Sequence, residues 1–305
     1  MNRILKETSV RILSRLLPRK VFADMRYRYT FGHTIDWENP RDLNEWINVF
    51  MTSPDRQKWA RMADKIAVRD IVKSKGLGEI LLPVYGVWDN VGEIDFSILP
   101  SSFVLKTNHG CGTNIIVDSE HSPDIDKIVE EMDKWLGKTF GTESCESHYS
   151  LIRPRIYAEK LISPESQHSG CKSLVDYKIW CIGGKPLYIF LCYDRGPHHL
   201  TVDMYDADWN RRDDAIIYEK EYHPAGTPFP KPECLDEMLR CAAILSEGEP
   251  QMRVDLYESE GRPIFGELTL SSCGGKMNYF KPEFLRDLGD RIRALRKENP
   301  ELFPS

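Results

Sequence analysis

The strongest constraint on the fold is a set of apolar strand segments joined in pairs by short glycine turns. Residues 174–195 hold two such segments on either side of Gly183-Gly184, and residues 253–270 hold two more around Gly261. A short glycine turn is typical of an antiparallel hairpin, because parallel strands need a crossover of a dozen residues or more. Helical segments lie between the pairs, so the sequence predicts an α+β fold and not a parallel doubly wound sheet.

Other segments add helices and strands to this pattern. Residues 36–75 read as helices broken near Pro40 and Pro54, and residues 124–138 read as a polar helix. The segment 232–248 begins at a proline, ends at a glycine and carries its apolar residues on one face, as a helix does. The segment 215–223 reads as a strand. With 305 residues, the chain is long enough for two domains or one large one.

A lysine followed by glycines ends one apolar strand segment, FVLKTNHGCGTN (103–114). Glycines let backbone N–H groups approach an anion closely and the lysine adds a positive charge, so this turn suits a phosphate group. The lysine precedes the glycines, and the turn therefore does not match the P-loop pattern. An ordinary hairpin turn with a surface lysine explains the same residues, and on this stretch alone both interpretations stay open.

Charge and cysteine content argue against several classes of protein. A net charge of −6 and a pI near 5.8 argue against a nucleic-acid-binding protein, so any polyanion must bind locally. The eight cysteines form no CxxC pair and no metal-finger spacing, which favours reduced thiols in a cytosolic protein. No apolar stretch approaches the ~18 residues that span a bilayer. Charges interrupt the apolar runs near the N-terminus, and we expect a soluble protein without a signal peptide.

The first 28 residues are strongly basic. They contain eight Lys/Arg against Glu7 and Asp24, a net charge of +6, so the remainder of the chain carries −12. Apolar residues recur between these charges at helical spacing: Ile4, Leu5, Ile12, Leu13, Leu16 and Leu17. A basic amphipathic helix of this kind lies on an anionic membrane surface or, more commonly, against its own domain or a partner protein. Both interpretations stay open here.

Four further pairs of charged residues extend the chemistry of the glycine turn. They are Asp64-Lys65 in a helical segment, Glu159-Lys160 in an apolar strand segment, Asp176 and Lys178 on one strand face, and Asp255 and Glu267 on the two strands of one hairpin. Asp255 and Glu267 repel each other unless a cation lies between them, and Mg²⁺ held jointly with substrate phosphates resolves that repulsion. Solvated surface charges also explain the first three pairs, and each of the four is weak evidence when taken alone.

Along the chain, lysines and glycines suited to phosphates come first, and carboxylates suited to magnesium follow. This order resembles that of the ATP-grasp superfamily, and specifically its TupA-like (teichuronopeptide-biosynthesis type) branch. The similar blocks are ADKIAVRDIV, PVYGVWDN, SSFVLKTNHGCGTN, PRIYAEKLI, DYKIWCIGGKP and RVDLYESEGRPIFGELT, within about Asn39 to Gly289. The resemblance implies an ATP-grasp fold, in which two α+β subdomains clamp ATP behind an N-terminal helical region. The implied divisions are 1–100, then 101–158 with the glycine lid, and 159–305 with the metal site.

The resemblance also implies which residues bind the nucleotide. Lys65 and Lys106 would contact the ATP phosphates. The other implied positions are a mobile lid of His109, Gly110, Cys111, Gly112, Thr113 and Asn114, the strand residues Glu159, Lys160 and Leu161 that meet adenine and ribose, and Asp176. Lys178 matches a basic position that steadies the transferred phosphoryl group, and Arg253 is a second catalytic candidate.

The same resemblance implies a magnesium site at Asp255 and Glu267. The superfamily commonly has Glu-x-Asn at the last metal strand, whereas this chain has Glu267-Leu268-Thr269. The Thr269 hydroxyl would then hold a metal-bound water or the phosphate, and we expect a single Mg²⁺.

The implied reaction is an ATP- and Mg²⁺-dependent ligation that activates a carboxylate as an acyl phosphate and joins it to an amine. The TupA-like branch is associated with cell-surface polysaccharides, so we expect an amide on a polysaccharide sugar or uronic acid precursor. The expected location is the cytoplasm, with peripheral contact of the basic N-terminal helix at the inner face of the membrane or with a partner protein. Candidate contacts for the acceptor carboxylate are Arg153, Arg155, His198, His199 and Arg253.

A sugar kinase on the same scaffold is the main alternative. It needs a base near the γ-phosphate, and Asp176 and Asp194 are the candidates. A non-catalytic module of a polysaccharide assembly complex is less favoured, because a scaffold needs no magnesium ligands. A glycosyltransferase or an associated protein is less favoured too, because the nearest Asp-x-Asp motif, Asp206-Ala207-Asp208, falls in a predicted loop.

Overall fold

The computed structural model describes residues 10, 12–52, 56–119, 123–167, 171, 173–219 and 221–303. Its N-terminal part contains helices α1 (Arg19–Phe31), α2 (Leu43–Met51), α3 (Arg56–Ala63) and α4 (Val68–Ser74). The helices predicted within 36–75 are therefore confirmed as α2, α3 and α4, which are separated at two places, after Met51 and after Ala63. The predicted break at Pro54 lies outside the described residues. The predicted helical pattern at Ile4 and Leu5 lies outside the described residues, whereas residues 12–16 are helical.

A four-stranded antiparallel sheet follows these helices. Its strands β1 (Val84–Trp88), β2 (Phe103–Thr107), β3 (Asn114–Val117) and β4 (Ile156–Lys160) lie in the order β1-β4-β2-β3. Helix α5 (Ile125–Leu136) packs on one face through buried apolar side chains. The predicted strand that ends at the glycine turn and the return strand after it are confirmed to within one residue.

A larger sheet of six strands holds the rest of the candidate site. It contains β5 (Asp176–Ile182), β6 (Lys185–Gly196), β7 (His199–Asp206), β8 (Tyr222–Pro224), β9 (Gln251–Ser259) and β10 (Arg262–Thr269), in the order β10-β9-β5-β6-β7-β8. All neighbours are antiparallel except β7 and β8. Gly183, Gly184 and Gly261 make the hairpin turns at positive φ, where glycine pays no steric penalty. The predicted hairpins and the α+β fold are confirmed.

Apolar clusters cover both faces of the six-stranded sheet. One cluster packs the sheet against α6 (Leu235–Ser246), and the other packs it against α2 and α7 (Pro282–Glu298). Side chains alternate between the faces of a strand, so Trp180 and Ile182 of β5 belong to the second cluster. Lys178 and Asp176 continue the same row towards the start of β5. The charged site therefore begins where the second apolar cluster ends.

Some boundaries differ from the sequence-based expectation. The helix predicted over 232–248 spans Leu235–Ser246, because residues 232–235 form a turn closed by a bond from Leu235 N to Pro232 O at 3.1 Å. The strand predicted over 215–223 was largely wrong: among its described residues, only Tyr222 and His223 lie in a strand, and Ile216 forms an isolated bridge with Phe280.

Two further observations concern the organisation of the chain. Strand β1 belongs to the four-stranded sheet, although it precedes residue 101, and the divisions at 100 and 158 stay a prediction. Among the described residues, no helix is long and apolar enough to cross a membrane.

Candidate active site

A cleft of about 480 Å³ lies between the two sheets. Its volume is in the range of small-molecule sites. The predicted site residues that line it are Lys65, Lys106, Gly110, Cys111, Gly112, Thr113, Asn114, Glu159, Lys160, Leu161, Asp176, Lys178, Asp255 and Glu267. His109, Arg253 and Thr269 are not among the residues that line it. The structure thus brings together residues that lie up to 202 positions apart, from Lys65 to Glu267.

The glycine turn is both a hairpin turn and a wall of the cleft. Thr107 N donates to Thr113 O at 3.1 Å, and the hydroxyls of the same two residues lie 2.7 Å apart, which closes the β2–β3 connection. Gly112 has a φ of +67°, and a Cβ at this position would meet no other atom within 4 Å. Lys65 Nζ donates to Gly110 O, which ties the turn to the segment after α3. The two interpretations of this stretch are therefore compatible.

His109 points away from the cleft. Its ring packs edge-on against Phe140, with centroids 5.2 Å apart, and its Nε2 lies 3.1 Å from Lys138 O. Burial, assisted by the nearby Lys65, lowers the pKa of His109. The neighbouring Gly110 also abuts Phe140, because a Cβ there would lie 2.5 Å from that ring. The part of the turn that contains His109 is thus its packed side, and nucleotide contact by His109 stays a prediction.

Lys106 and Glu159 form an ion pair between strands β2 and β4. Both side chains are partly shielded, at 27% and 10% exposure. Lys160 and Leu161, which follow Glu159, also line the cleft at the end of β4. The lysine ammonium can move from the carboxylate to an anion that enters the cleft, since both ends of this pair reach the same space.

The six-stranded sheet holds its charges more tightly. Lys178 is opposite Asp255 in the β5–β9 register, and its Nζ lies 2.8 Å from Asp255 Oδ2 and 3.4 Å from Asp176 Oδ2. Burial alone would lower the pKa of Lys178, but Asp255 and Asp176 outweigh it and raise that pKa above its usual value. Lys178 therefore keeps its charge although it is largely buried.

Arg253 lies behind Asp255 and does not line the cleft. Its Nε and Nη2 donate to the two carboxylate oxygens of Asp255 at 2.6 and 2.7 Å, a bidentate pair. Nη2 also lies 3.4 Å from Glu267 Oε1 and 3.0 Å from Thr269 Oγ1. Burial would raise the pKa of Asp255, but Arg253 and Lys178 hold it below its usual range.

The position of Arg253 corrects one step of the sequence argument. The carboxylates of Asp255 and Glu267 were expected to need a metal ion between them. In the structure the Arg253 guanidinium already contacts both. Their proximity alone therefore does not require Mg²⁺.

A β-bulge places Glu267 opposite Asp255. Residues of β9 and β10 pair regularly up to Phe265 and Leu256, and the register then shifts so that Glu267 faces Asp255. Gly266 is the extra residue, and a Cβ there would lie 2.8 Å from Asp255 O. Without the shift Gly266 would stand opposite Asp255, and Glu267 would point to the other face of the sheet.

The donor set at this position fits a magnesium ion. Asp255 and Glu267 supply the hard oxygen ligands that Mg²⁺ prefers. Among the described residues, Asp255 Oδ1 accepts a single hydrogen bond, from Arg253, and a carboxylate oxygen has a second lone pair to offer. No cluster of three or more His, Cys, Asp or Glu in the described part of the chain could hold a metal. Mg²⁺ is commonly bound by one or two carboxylates together with water and substrate phosphates, so two carboxylates suffice.

The candidate acceptor contacts lie elsewhere. Arg153 pairs with Asp89 at 2.7 Å in an exposed position, and Arg155 lies 4.0 Å from Asp64. His199 stacks on His223 with ring centroids 4.5 Å apart. Arg153, Arg155, His198 and His199 are all absent from the lining of the cleft, as is Asp194, whereas Asp176 lines it. The role of the two arginines and two histidines in acceptor binding stays a prediction.

Sequence reasoning missed one cation and most of the apolar wall. Arg195 lines the cleft at the end of β6, with 60% of its side chain exposed, and its Nη2 lies 3.5 Å from Asp176 Oδ2. The apolar and aromatic wall includes Leu82, Val104, Ile116, Tyr157, Ile162, Leu174, Tyr257 and Phe265. The alternation of side chains along β4 and β9 could have predicted the two tyrosines. Tyr157 lies two residues from Glu159, and Tyr257 lies two residues from Asp255, so each tyrosine shares a strand face with a predicted site residue.

A comparison of the sequence with protein families shows to which family the chain belongs. The sequence profile of the TupA-like ATP-grasp family matches residues 45–293. The chain belongs to the TupA-like ATP-grasp family. The family and the ATP-grasp fold predicted from the motifs are therefore confirmed. The enzyme class predicted with them, an ATP-dependent ligase that forms C–N bonds and uses ATP with Mg²⁺, is the class of this superfamily.

Solved structures add distant likenesses. A D-alanine–D-alanine ligase from Bacillus anthracis is 18% identical with a TM-score of 0.44, over 78% of this chain and 69% of that one. A D-alanine–D-alanine ligase from Helicobacter pylori is 14% identical with a TM-score of 0.43, over 77% and 61%. The macrocyclase MdnC from Microcystis aeruginosa is 12% identical with a TM-score of 0.36, over 78% and 63%. Such low scores carry no functional argument. No curated protein matches the sequence.

Proposed function

We propose that this TupA-like ATP-grasp protein is an ATP- and Mg²⁺-dependent carboxylate–amine ligase. One observation carries the proposal: a single cleft gathers Lys65, Lys106 and Lys178 with the carboxylates Asp255 and Glu267. Lysines suit the phosphates of ATP, and carboxylates suit the magnesium ion that would accompany ATP.

The nucleotide would lie across the cleft from the apolar wall to the carboxylates. Glu159, Lys160 and Leu161 flank the space where the adenine and ribose would bind. Lys65 and Lys106 would hold the phosphates, and Lys106 would exchange Glu159 for a phosphate oxygen. The glycine turn would cover the phosphates from the side of the four-stranded sheet.

Asp255 and Glu267 are the residues that would hold the magnesium ion. When bound, the ion would offset charge on the β- and γ-phosphates. Arg253 would act as a positioning residue, because its bidentate contact fixes the Asp255 carboxylate. The contact from Thr269 Oγ1 to Glu267 Oε1, at 3.0 Å, would fix Glu267 in the same way.

In the first step, a carboxylate oxygen of the acceptor would attack the γ-phosphorus of ATP. The bond from that phosphorus to the bridging oxygen breaks, ADP leaves and an acyl phosphate forms. An amine then attacks the acyl carbon, phosphate leaves and the amine loses a proton to give an amide. Lys178 would neutralise the transferred phosphoryl group throughout. The protein contributes alignment and charge more than covalent chemistry.

The proposed acceptor is a sugar or uronic acid precursor of a cell-surface polysaccharide. This part of the proposal rests on the association of the TupA-like branch with such polymers. Arg195 supports an anionic acceptor, because it is a largely exposed guanidinium on the wall of the cleft. The proposed compartment is the cytoplasm, where ATP is available. Free thiols at all eight cysteines agree with a reducing compartment.

A sugar kinase is the second candidate. Asp176 favours it, because this carboxylate lines the cleft 3.4 Å from Lys178 and could accept the proton of a sugar hydroxyl. In that reaction the hydroxyl oxygen takes the γ-phosphoryl group, and the product keeps the phosphate.

The decisive experiment incubates the purified full chain with ATP, Mg²⁺ and a panel of uronic acids crossed with amines. Phosphate release together with a product mass that lacks one water relative to the two substrates would support the ligase. A stable product heavier by one phosphoryl group, without free phosphate, would overturn it in favour of the kinase. The Glu267→Gln variant is the control for turnover by contaminating ATPases.

A further inference from the structure

Helix α1 exposes an apolar face that the proposed reaction does not use. Its buried residues are Phe22, Ala23 and Tyr27. Val21, Met25 and Tyr29 are spaced by four residues and therefore share the opposite face of the helix. They are 50%, 38% and 77% exposed. The helix is thus docked on the protein by one side and presents apolar groups to solvent on the other.

This exposure is concentrated in one part of the molecule. Among the described residues, ten large apolar side chains are exposed, and half of them lie between positions 12 and 29. Besides the three residues of α1 they are Ile12 and Leu16, at 52% and 74% exposure. We call Ile12, Leu16, Val21, Met25 and Tyr29 the apolar stripe. Single exposed apolar residues need no explanation, but a concentration of them marks an interaction surface.

The charges beside the apolar stripe all have one sign. Between residues 12 and 31, the exposed charged side chains are Arg15, Arg19, Lys20 and Arg28. The one carboxylate in this stretch, Asp24, points inward, since it accepts hydrogen bonds from Ile35 N at 3.0 Å and Trp37 Nε1 at 3.1 Å. The exposed charged side chains of residues 12–31 are therefore all cationic.

We propose that the apolar stripe and its flanking cations hold the protein on an anionic lipid bilayer. Anionic headgroups complement the cations, while apolar side chains enter the boundary between headgroups and acyl chains. The tyrosine at position 29 suits that boundary, because its ring is apolar and its hydroxyl is polar. Since the rest of the chain carries −12, the field of the protein would also turn this surface towards the membrane.

A second copy of the same chain is a poorer occupant. In a two-fold dimer the same patch meets itself, so the four cations of one copy would face the four cations of the other. The membrane proposal does not depend on the reaction catalysed, and its test needs no substrate.

The test is flotation of the full chain with vesicles of phosphatidylglycerol and phosphatidylcholine, compared with vesicles of phosphatidylcholine alone. We expect binding to the anionic vesicles only, and weaker binding as salt is raised. The variant Val21→Ser/Met25→Ser/Tyr29→Ser should abolish flotation. The variant Arg15→Gln/Arg19→Gln/Arg28→Gln should weaken it by about fivefold for each cation removed.

The matched control replaces exposed apolar residues elsewhere, Tyr85→Ser/Val87→Ser/Ile98→Ser, and should float like the unmodified protein. Melting curves of all variants check that the buried side of α1 stays docked. Failure of the unmodified chain to float with anionic vesicles would overturn the proposal. Equal flotation of the Val21/Met25/Tyr29 variant would do the same, as would a concentration-dependent dimer that this variant abolishes.

Discussion

The two sheets that face the cleft hold their charged residues in different ways. On the six-stranded sheet, Asp255 is 3% exposed as a side chain and is contacted by both Arg253 and Lys178. On the four-stranded sheet, Lys106 is 27% exposed and pairs with Glu159. The first arrangement is a buried network fixed by several partners, and the second is one ion pair at the edge of the cleft.

The difference follows from how much apolar core supports each sheet. Apolar clusters cover both faces of the six-stranded sheet, whereas α5 and one smaller cluster cover the four-stranded sheet. Buried charge pairs are costly to break, because the remaining partner is left uncompensated. Substitutions of the buried charges on the six-stranded side should therefore affect folding and activity together, and those of the partly exposed charges on either side should affect activity more selectively.

The largest effect is expected for Asp255→Asn. This change leaves Arg253 and Lys178 without their shared buried carboxylate, so we expect a loss of about 3–5 kcal/mol in the free energy of unfolding together with loss of turnover. Urea unfolding and ATP turnover measure the two effects. A stable, inactive Asp255→Asn protein would show that the network serves the reaction alone and would weaken the comparison between the sheets.

Glu267→Gln should separate the two effects on the same sheet. Glu267 is 37% exposed and keeps its shape in this variant, so the free energy of unfolding should change by less than about 1 kcal/mol, as is usual for exposed ion pairs. Turnover should fall by at least about 100-fold if the carboxylate holds the magnesium ion. Near-normal turnover would remove Glu267 from the proposed metal site.

Lys106→Ala tests the side of the four-stranded sheet. Saturating Mg-ATP should raise the melting temperature of the unmodified protein, because a ligand that binds only the folded state stabilises it by about 2.7 kcal/mol at 100 times its Kd. The variant should lose most of that shift. The matched control is Lys134→Ala, which removes an exposed lysine paired with Glu131 outside the cleft. An equal shift in both variants would contradict phosphate binding by Lys106.

The sequence was sufficient for the hairpins but not for their register. Glycine turns at 183–184 and 261 predicted antiparallel pairs, and these are present. The bulge was not predicted, although an isolated glycine inside a strand segment, here Gly266, is a signal for one. That bulge decides whether Glu267 faces the cleft. The prediction that Asp255 and Glu267 lie side by side rested on their places in one hairpin, and the bulge is what sets them opposite each other.

The directions of the side chains in the glycine turn could not be predicted from the sequence either. Six consecutive residues were assigned to one lid, but a turn points its side chains in several directions. His109 packs on Phe140, which lies outside the stretch that the sequence argument considered. The position of Arg253 could have been predicted from the alternation along β9. Residues two apart share a face of the strand, so Arg253 lies beside Asp255.

Two turn glycines offer a matched test of the comparison. Gly112 in the β2–β3 turn and Gly261 in the β9–β10 turn have φ values of +67° and +70°, with open space around each. Valine at either position should cost roughly 1–2 kcal/mol of stability, because the left-handed conformation strains a side chain. Only Gly112→Val should also depress turnover and nucleotide affinity. A destabilised but fully active Gly112→Val protein would make the loop a turn without a role in catalysis.

The smallest effect concerns pH and compares the paired buried charges of the six-stranded sheet with one buried side chain outside both sheets. The buried charges of the six-stranded sheet are paired, whereas His148, in the segment between α5 and β4, is buried and uncharged. Burial lowers the pKa of His148 to about 4. The unfolded chain takes up a proton on this side chain as the pH falls through about 6.5, while the folded protein does not until about pH 4.

The contribution of His148 to stability is therefore fully present above about pH 6.5 and is lost as the pH falls towards 4. At about pH 5.5 the loss should be on the order of 1–2 kcal/mol. The variant His148→Phe keeps an aromatic ring against Trp59 and Tyr149 but cannot be protonated, so its unfolding free energy should fall less between about pH 7 and 5. His198→Gln, at an exposed position, is the control and should keep the original pH dependence. If His148→Phe keeps it as well, the acid sensitivity of the protein arises elsewhere, and the buried network around Asp255 becomes the next place to measure it.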